Sequence, residues 1–253
     1  MRKKFYILTL IFAILGFIST AQTAEEWFQN GNMAYTNAAY KKALEAYHKA
    51  LETGEHSAAL YYNLGNTYYR LNEVAESIYY FEKGLILKPQ DPDLSNNILF
   101  AKNMTLDAIE KLPQTQITAF NNKLMGMMNT NQWAWLTLLL VWLFSILLII
   151  YLWIQSSKSK KQLFVSALVL GFLGVVSYTI TSTKYMKLHS EQFGIVFSEV
   201  IQVNNEPNQR SEVQFILHEG TKVQILEQFQ DWQKIRIANG AEGWVSGAMI
   251  REL

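Results

Sequence analysis

The sequence predicts a multidomain membrane protein. An all-α helical-repeat region comes first, then a transmembrane α-hairpin, then an all-β barrel. Three observations carry this prediction. Residues 24–91 hold two similar stretches at an offset of 34. Trp133–Ile154 and Leu163–Thr183 are apolar runs without a charged residue. Beyond Gly194 the helical periodicity gives way to short strands broken by turn residues. A chain of 253 residues with a formal net charge of +1 suits two small soluble modules joined by a hairpin. Its near neutrality gives no reason to expect nucleic acid. Cysteine is absent, which excludes disulfides, thiolate chemistry and lipid attachment through cysteine.

Arg2, Lys3 and Lys4 precede an apolar stretch from Phe5 to Ile18, and Ser19-Thr20-Ala21 supplies small residues. This pattern predicts a signal peptide over residues 1–21, cut after Ala21, that exports the segment beyond it.

Aligning 24–57 with 58–91 places Trp27 on Tyr61, Gly31 on Gly65, Tyr40 on Val74, Ala43 on Ser77, Tyr47 on Phe81 and Ala50 on Gly84. A small residue at 31 and 65 lets a paired helix approach, and the aromatics fill the groove between helices. These residues resemble the tetratricopeptide repeat (TPR) family. A further helix over 93–112, capped by Asp93 with Leu94, Ile98, Ala101 and Leu106 on its apolar side, is expected to close the stack and complete a module over 24–112. The resemblance implies that first helices line a concave peptide-binding face. Carried over, that face is Phe28, Asn32, Tyr35 and Thr36 from one copy and Tyr62, Asn66, Tyr69 and Arg70 from the other. Phe28 and Asp93 stand where the carboxylate-clamp subset of the family has lysines, so that ligand is not expected. Glu45, Glu76 and Glu82 are expected on exposed helix faces.

Pro113 ends this module. Over 113–132, Ile117, Phe120, Leu124, Met127 and Met128 recur at helical spacing. This amphipathic linker is expected to lie in a membrane interface or to dock against the repeats. Transmembrane helices are predicted over 133–154 and 163–183, each long enough for a hydrocarbon core of ~30 Å. Trp133, Trp135, Tyr151 and Trp153 suit the interfaces. Ala167 and Gly171 form a small-xxx-small pair, for packing against the first helix or for homodimerisation. Lys158, Lys160 and Lys161 make the loop 155–162 basic, which predicts that it is cytoplasmic. The signal peptide predicts the same orientation. The soluble modules are then expected on the periplasmic side of a bacterial inner membrane.

After a linker over 184–193, residues 194–253 read as a small barrel. Strands are predicted from Gly194, over Val213–Leu217, Lys222–Phe229, Trp232–Ile237, Gly243–Val245 and Met249–Leu253. Asn239-Gly240 marks a hairpin. Val223, Ile225, Leu226, Ile235 and Ile237 are expected to face inward. His218-Glu219-Gly220-Thr221-Lys222-Val223, Trp232-Gln233-Lys234-Ile235 and Gly243-Trp244-Val245 resemble the bacterial SH3-like (SH3b) domain. That resemblance implies binding of peptides or peptidoglycan, with Phe229, Trp232 and Trp244 as an aromatic surface or as barrel packing.

His48, His56, His189 and His218 are dispersed, and no phosphate-binding loop or nucleophile motif occurs. The sequence therefore predicts no enzyme, no cofactor and no metal. In its order of modules the chain resembles the BatE-type tetratricopeptide-repeat proteins of the Bacteroides aerotolerance operon. This implies a membrane complex with von Willebrand A-type Bat proteins and a MoxR-type ATPase, and a role in oxidative-stress tolerance or envelope protein quality. Together these features predict a non-enzymatic membrane-anchored adaptor. The alternative is a peptidoglycan-binding sensor or anchor.

Overall fold

The computed structural model describes residues 23–253 except Lys111 and Gln114. The expected signal peptide lies outside the described residues. The chain divides into two compact units at Met104/Thr105.

The first unit contains α1 (Ala24–Thr36), α2 (Tyr40–Glu52), α3 (Ala58–Arg70), α4 (Val74–Leu87) and α5 (Pro92–Lys102). Helix starts recur 34 residues apart, at Ala24, Ala58 and Pro92 and again at Tyr40 and Val74. The N-caps keep the same interval. Thr23 accepts from the Glu26 amide in a capping box, Ser57 from Leu60, and Asp91 from Asp93 and Leu94. Asp91, rather than Asp93, is therefore the cap of α5, because Pro92 takes the first helical position, where its missing N–H costs nothing. The helix pairs close as the glycines predict. A Cβ on Gly31 would lie 2.4 Å from the Tyr47 ring, and one on Gly65 2.6 Å from the Phe81 ring. Between repeats an amide ladder recurs. Asn63 donates to Asn32 at 2.8 Å, and Asn97 donates to Asn66 at 2.7 Å. α5 thus continues the stack as a further first helix. Glu82 is buried, against expectation, and Lys102 from α5 pairs with it at 2.9 Å. A buried carboxylate persists only with such a partner.

The capping helix ends at Lys102 and does not run to Leu112. The residues beyond Met104 belong to the second unit, where Asp107 is held by the barrel. From Asn103 to Glu110 the chain runs through turns, bends and irregular backbone instead of helix.

The second unit adds α6 (Gln116–Gly126), α7 (Thr130–Trp153) and α8 (Ser157–Ser190). α6 realises the amphipathic linker. Lys184 of α8 donates to the Met125 and Met128 carbonyls, both at 2.7 Å, and so satisfies acceptors at the end of α6. α7 and α8 are long and apolar enough to cross a membrane. Trp135, Trp142 and Leu152 are 72, 69 and 74 % exposed. Side chains of this size left bare at such a density mark a surface that is not meant for water. The helices overrun the expected spans. The connection shrinks to Ile154–Ser156, and the lysines of the expected loop sit in the first turns of α8. Lysine sustains a helix well, and its charge stays solvated beyond the apolar segment. Ala167 is buried, Gly171 faces Phe144, and the Thr137 and Ser177 hydroxyls meet at 2.8 Å. The small-residue face therefore packs within the hairpin.

The barrel is a seven-stranded antiparallel sheet in the order β3-β2-β6-β5-β4-β1-β7. Its strands are β1 (Gln192–Val196), β2 (Val200–Asn204), β3 (Val213–His218), β4 (Lys222–Phe229), β5 (Trp232–Arg236), β6 (Glu242–Ser246) and β7 (Ile250–Glu252). It curls around Val196, Ile201, Val203, Leu217, Val223, Ile225, Ile235, Ile237, Val245 and Ile250. β2 has no counterpart among the strands expected from the sequence. Leu226 is not in this core, because a bulge between Ile225 and Glu227 breaks the alternation there. Gly240, at φ +88°, makes the expected turn between β5 and β6.

Candidate binding surfaces

In the repeat unit, the helical period sets every third or fourth residue of α3 on one side. Tyr35, Asn66, Tyr69 and Arg70 converge there with Phe81, Asn97 and Phe100 around a cleft of about 180 Å³. The exposed Arg70 guanidinium takes a hydrogen bond with Tyr35, which raises its already high pKa, so it stays charged. Asn66 accepts from Asn97 through its side-chain oxygen. Its own amide N–H groups and the Asn97 side-chain oxygen remain for a ligand. The cleft thus offers an amide donor, an amide acceptor, a fixed cation and aromatic walls. A peptide group can use all of these.

The other expected face residues are engaged differently. Asn32 accepts from the Tyr47 hydroxyl at 2.9 Å and from Asn63 at 2.8 Å. Phe28 packs on Tyr47 with ring centroids 6.0 Å apart, and Tyr62 on Phe81 at 6.2 Å. Thr36 returns its hydroxyl to the Asn32 carbonyl.

On the barrel, alternation along β5 and β6 buries Gln233, Ile235, Gly243 and Val245 and turns Trp232, Lys234, Trp244 and Ser246 outward. Register then does the rest. Phe229 pairs with Trp232 and Lys234 with Trp244. Phe229 is half exposed and meets the Trp244 ring edge-on at 6.5 Å. The three aromatics share one outer face, and neither tryptophan joins the core. Beside them Glu242 bridges Arg236 and Lys234, at 2.5 and 3.2 Å. Arg236, then Lys234, hold its carboxyl below the usual range.

Residues 58–91 match the tetratricopeptide repeat family, and residues 201–251 match the bacterial SH3 domain family. Both are families of binding modules, typically without catalysis, so the chain carries a protein-interaction module and a module of a kind that binds peptides or cell wall. No curated protein matches the chain. The first copy, 24–57, lies outside the matched repeat, yet its helices start at the same interval and its first helix is capped in the same way. Among the described residues no three His, Cys, Asp or Glu side chains cluster as metal ligands would.

Sequence reasoning missed Asp107, whose carboxylate sits on the turn between β3 and β4. It accepts from the His218 amide at 2.7 Å and the Thr221 hydroxyl at 2.6 Å, and pairs with the His218 ring at 2.7 Å. Burial opposes its charge, but the hydrogen bonds from Thr221 and His218 prevail and hold it below the usual carboxylate range. His218 and Thr221 were legible as part of the barrel motif. Nothing in the spacing pointed to an acid 111 residues upstream of His218.

Proposed function

We propose that this chain is a non-enzymatic, membrane-anchored adaptor. Its repeat cleft takes an extended segment of an envelope protein, and its barrel takes a peptide or wall ligand on the Phe229/Trp232/Trp244 face. The hairpin holds both at one inner membrane, with the modules periplasmic and Lys158, Lys160 and Lys161 cytoplasmic. The observation that carries the reading is the convergence of Tyr35, Asn66, Tyr69 and Arg70 on one cleft, within a module of a peptide-binding family. The order of modules supports a finer version. In it the partners are von Willebrand A-type Bat proteins and a MoxR-type ATPase system, in an aerotolerance or envelope quality-control complex.

A second reading, a peptidoglycan-binding sensor or anchor, is favoured by the outward aromatics of the barrel. One experiment with two arms separates them. The intact protein in detergent is incubated with solubilised envelope proteins and, separately, with purified sacculi. The triple variant Tyr69→Ala, Asn66→Ala, Arg70→Ala should lose protein capture at least tenfold, while Trp232→Ala with Trp244→Ala should leave it unchanged. Capture that survives the triple variant overturns the cleft assignment. Sedimentation with sacculi that depends on the tryptophans makes wall binding the main activity.

A further inference from the structure

A strap through Asp107, Ile109 and Leu112 meets the barrel, and these residues are not part of its sheet. Asp107 fills a pocket made by the His218 amide, the His218 ring and the Thr221 hydroxyl. Thr221 is buried, at 6 % exposure. Two residues on, Ile109 packs against the barrel's core cluster. The Leu112 amide donates to the Ala238 carbonyl at 3.3 Å, and its side chain lies over Gly240. Beside this strap a cavity of about 330 Å³ remains, lined by Leu106, Ile109, Phe215, Ile216 and Ile237 among others.

Two features set the strap apart from the barrel it covers. It lies outside residues 201–251, which match the SH3 family, while His218, Thr221 and Ile237 lie inside. It is also held by side chains, an acid in a pocket and an aliphatic on the core, beside the main-chain bond from Leu112. An occupant held this way can be exchanged for another that carries the same two groups.

We propose that this corner of the barrel is a receptor for an extended segment with an aspartate two residues before an aliphatic, and that Asp107 and Ile109 of the strap occupy it as a tethered competitor. The receptor groups are the His218 amide and ring, Thr221, and the apolar surface under Ile109. It is distinct from the Phe229/Trp232/Trp244 face. Tethering gives the strap an effective concentration of the order of millimolar, so a partner must be concentrated at the membrane or multivalent to displace it.

The test uses the full chain in detergent and a fluorescein-labelled peptide of residues 105–112, read by polarisation. The wild type should bind it weakly. Asp107→Ala with Ile109→Ser should bind it at least tenfold more tightly, and the milder Asp107→Asn should give an intermediate gain. A peptide with alanine in place of its aspartate should lose binding, as should Thr221→Val added to the double variant. Equal binding by wild type and double variant overturns the proposal. So does absent binding by a variant whose near-ultraviolet dichroism stays native. Loss of that native signal in both Asp107 variants also overturns it, because the strap is then an integral part of the barrel.

Discussion

Tyr47 shows how one side chain sets the local behaviour of the repeat unit. Its ring occupies the space left by Gly31, and its hydroxyl donates to Asn32 at 2.9 Å. Burial pushes its pKa up to about 12. A phenol whose folded pKa is raised favours the folded state below its unfolded value, and that stability is lost as pH rises through the folded one. The window here runs from about 10 to about 12, and the span is worth roughly 2–3 kcal/mol. The second repeat carries Phe81 at the equivalent place, so Tyr47→Phe should fold. It should cost about 1 kcal/mol at neutral pH through the lost hydrogen bond. Because the variant has no phenol to ionise there, its deficit should shrink as pH rises from about 10. Denaturant melts of both proteins across that range check this. A deficit that stays constant to about pH 12 contradicts the account.

At the scale of elements, helix pairing depends on two glycines placed 34 residues apart. Gly65→Ala puts a Cβ 2.6 Å from the Phe81 ring in a packed groove, and should cost about 1–3 kcal/mol. Phe81→Leu added to it should recover part of that loss. Gly126→Ala is the matched control, since nothing lies within 4 Å of its Cβ position and alanine favours helix. Thermal melts followed by helical dichroism should place Gly65→Ala lowest, its Phe81→Leu partner above it and Gly126→Ala highest. Equal losses at 65 and 126 would refute the packing argument. These glycines were legible because period, residue size and aromatic partner all recur in the sequence. Where the periodic signal was strongest, it located the element: the repeat helices that start at 24 and 58 and the alternation in β5 and β6. Where the decisive partner is distant, local pattern had nothing to report. The apolar residues of 93–112 read as one helix, but Asp107 answers to His218 and Thr221, and Ile109 to the barrel core. Glu82 read as surface because its partner, Lys102, is on another helix. Of the repeat face, Tyr35, Asn66, Tyr69 and Arg70 share a cleft, while Asn32 is consumed by Tyr47 and Asn63, a difference that spacing alone does not encode.

For the whole molecule, α7 and α8 are long and apolar enough to cross a membrane, and the orientation proposed for them rests on charge. Lys158, Lys160 and Lys161 cluster where α7 meets α8, and at the other end Lys184 is engaged with the carbonyls of Met125 and Met128. A lysine already satisfied by backbone acceptors still counts as a charge, and with Lys187 and Lys123 it balances the connection in number. What favours a cytoplasmic α7–α8 connection is that its three lysines are packed into residues 158–161, in agreement with the expected signal peptide. The chain has no cysteine, so single introduced thiols report cleanly. Ser159→Cys probes the connection, Asn37→Cys the turn between α1 and α2, and Gln228→Cys the exposed end of β4. In intact spheroplasts a membrane-impermeant maleimide should label positions 37 and 228 and spare 159. Lysis should expose 159 to the same reagent. Labelling of 159 alone before lysis would invert the orientation and place both binding surfaces in the cytoplasm. Opposite labelling of 37 and 228 would mean that the hairpin does not cross twice. Glutamine at all three connection lysines should leave a mixture of orientations, because Lys123, Lys184 and Lys187 would then oppose the expected signal peptide.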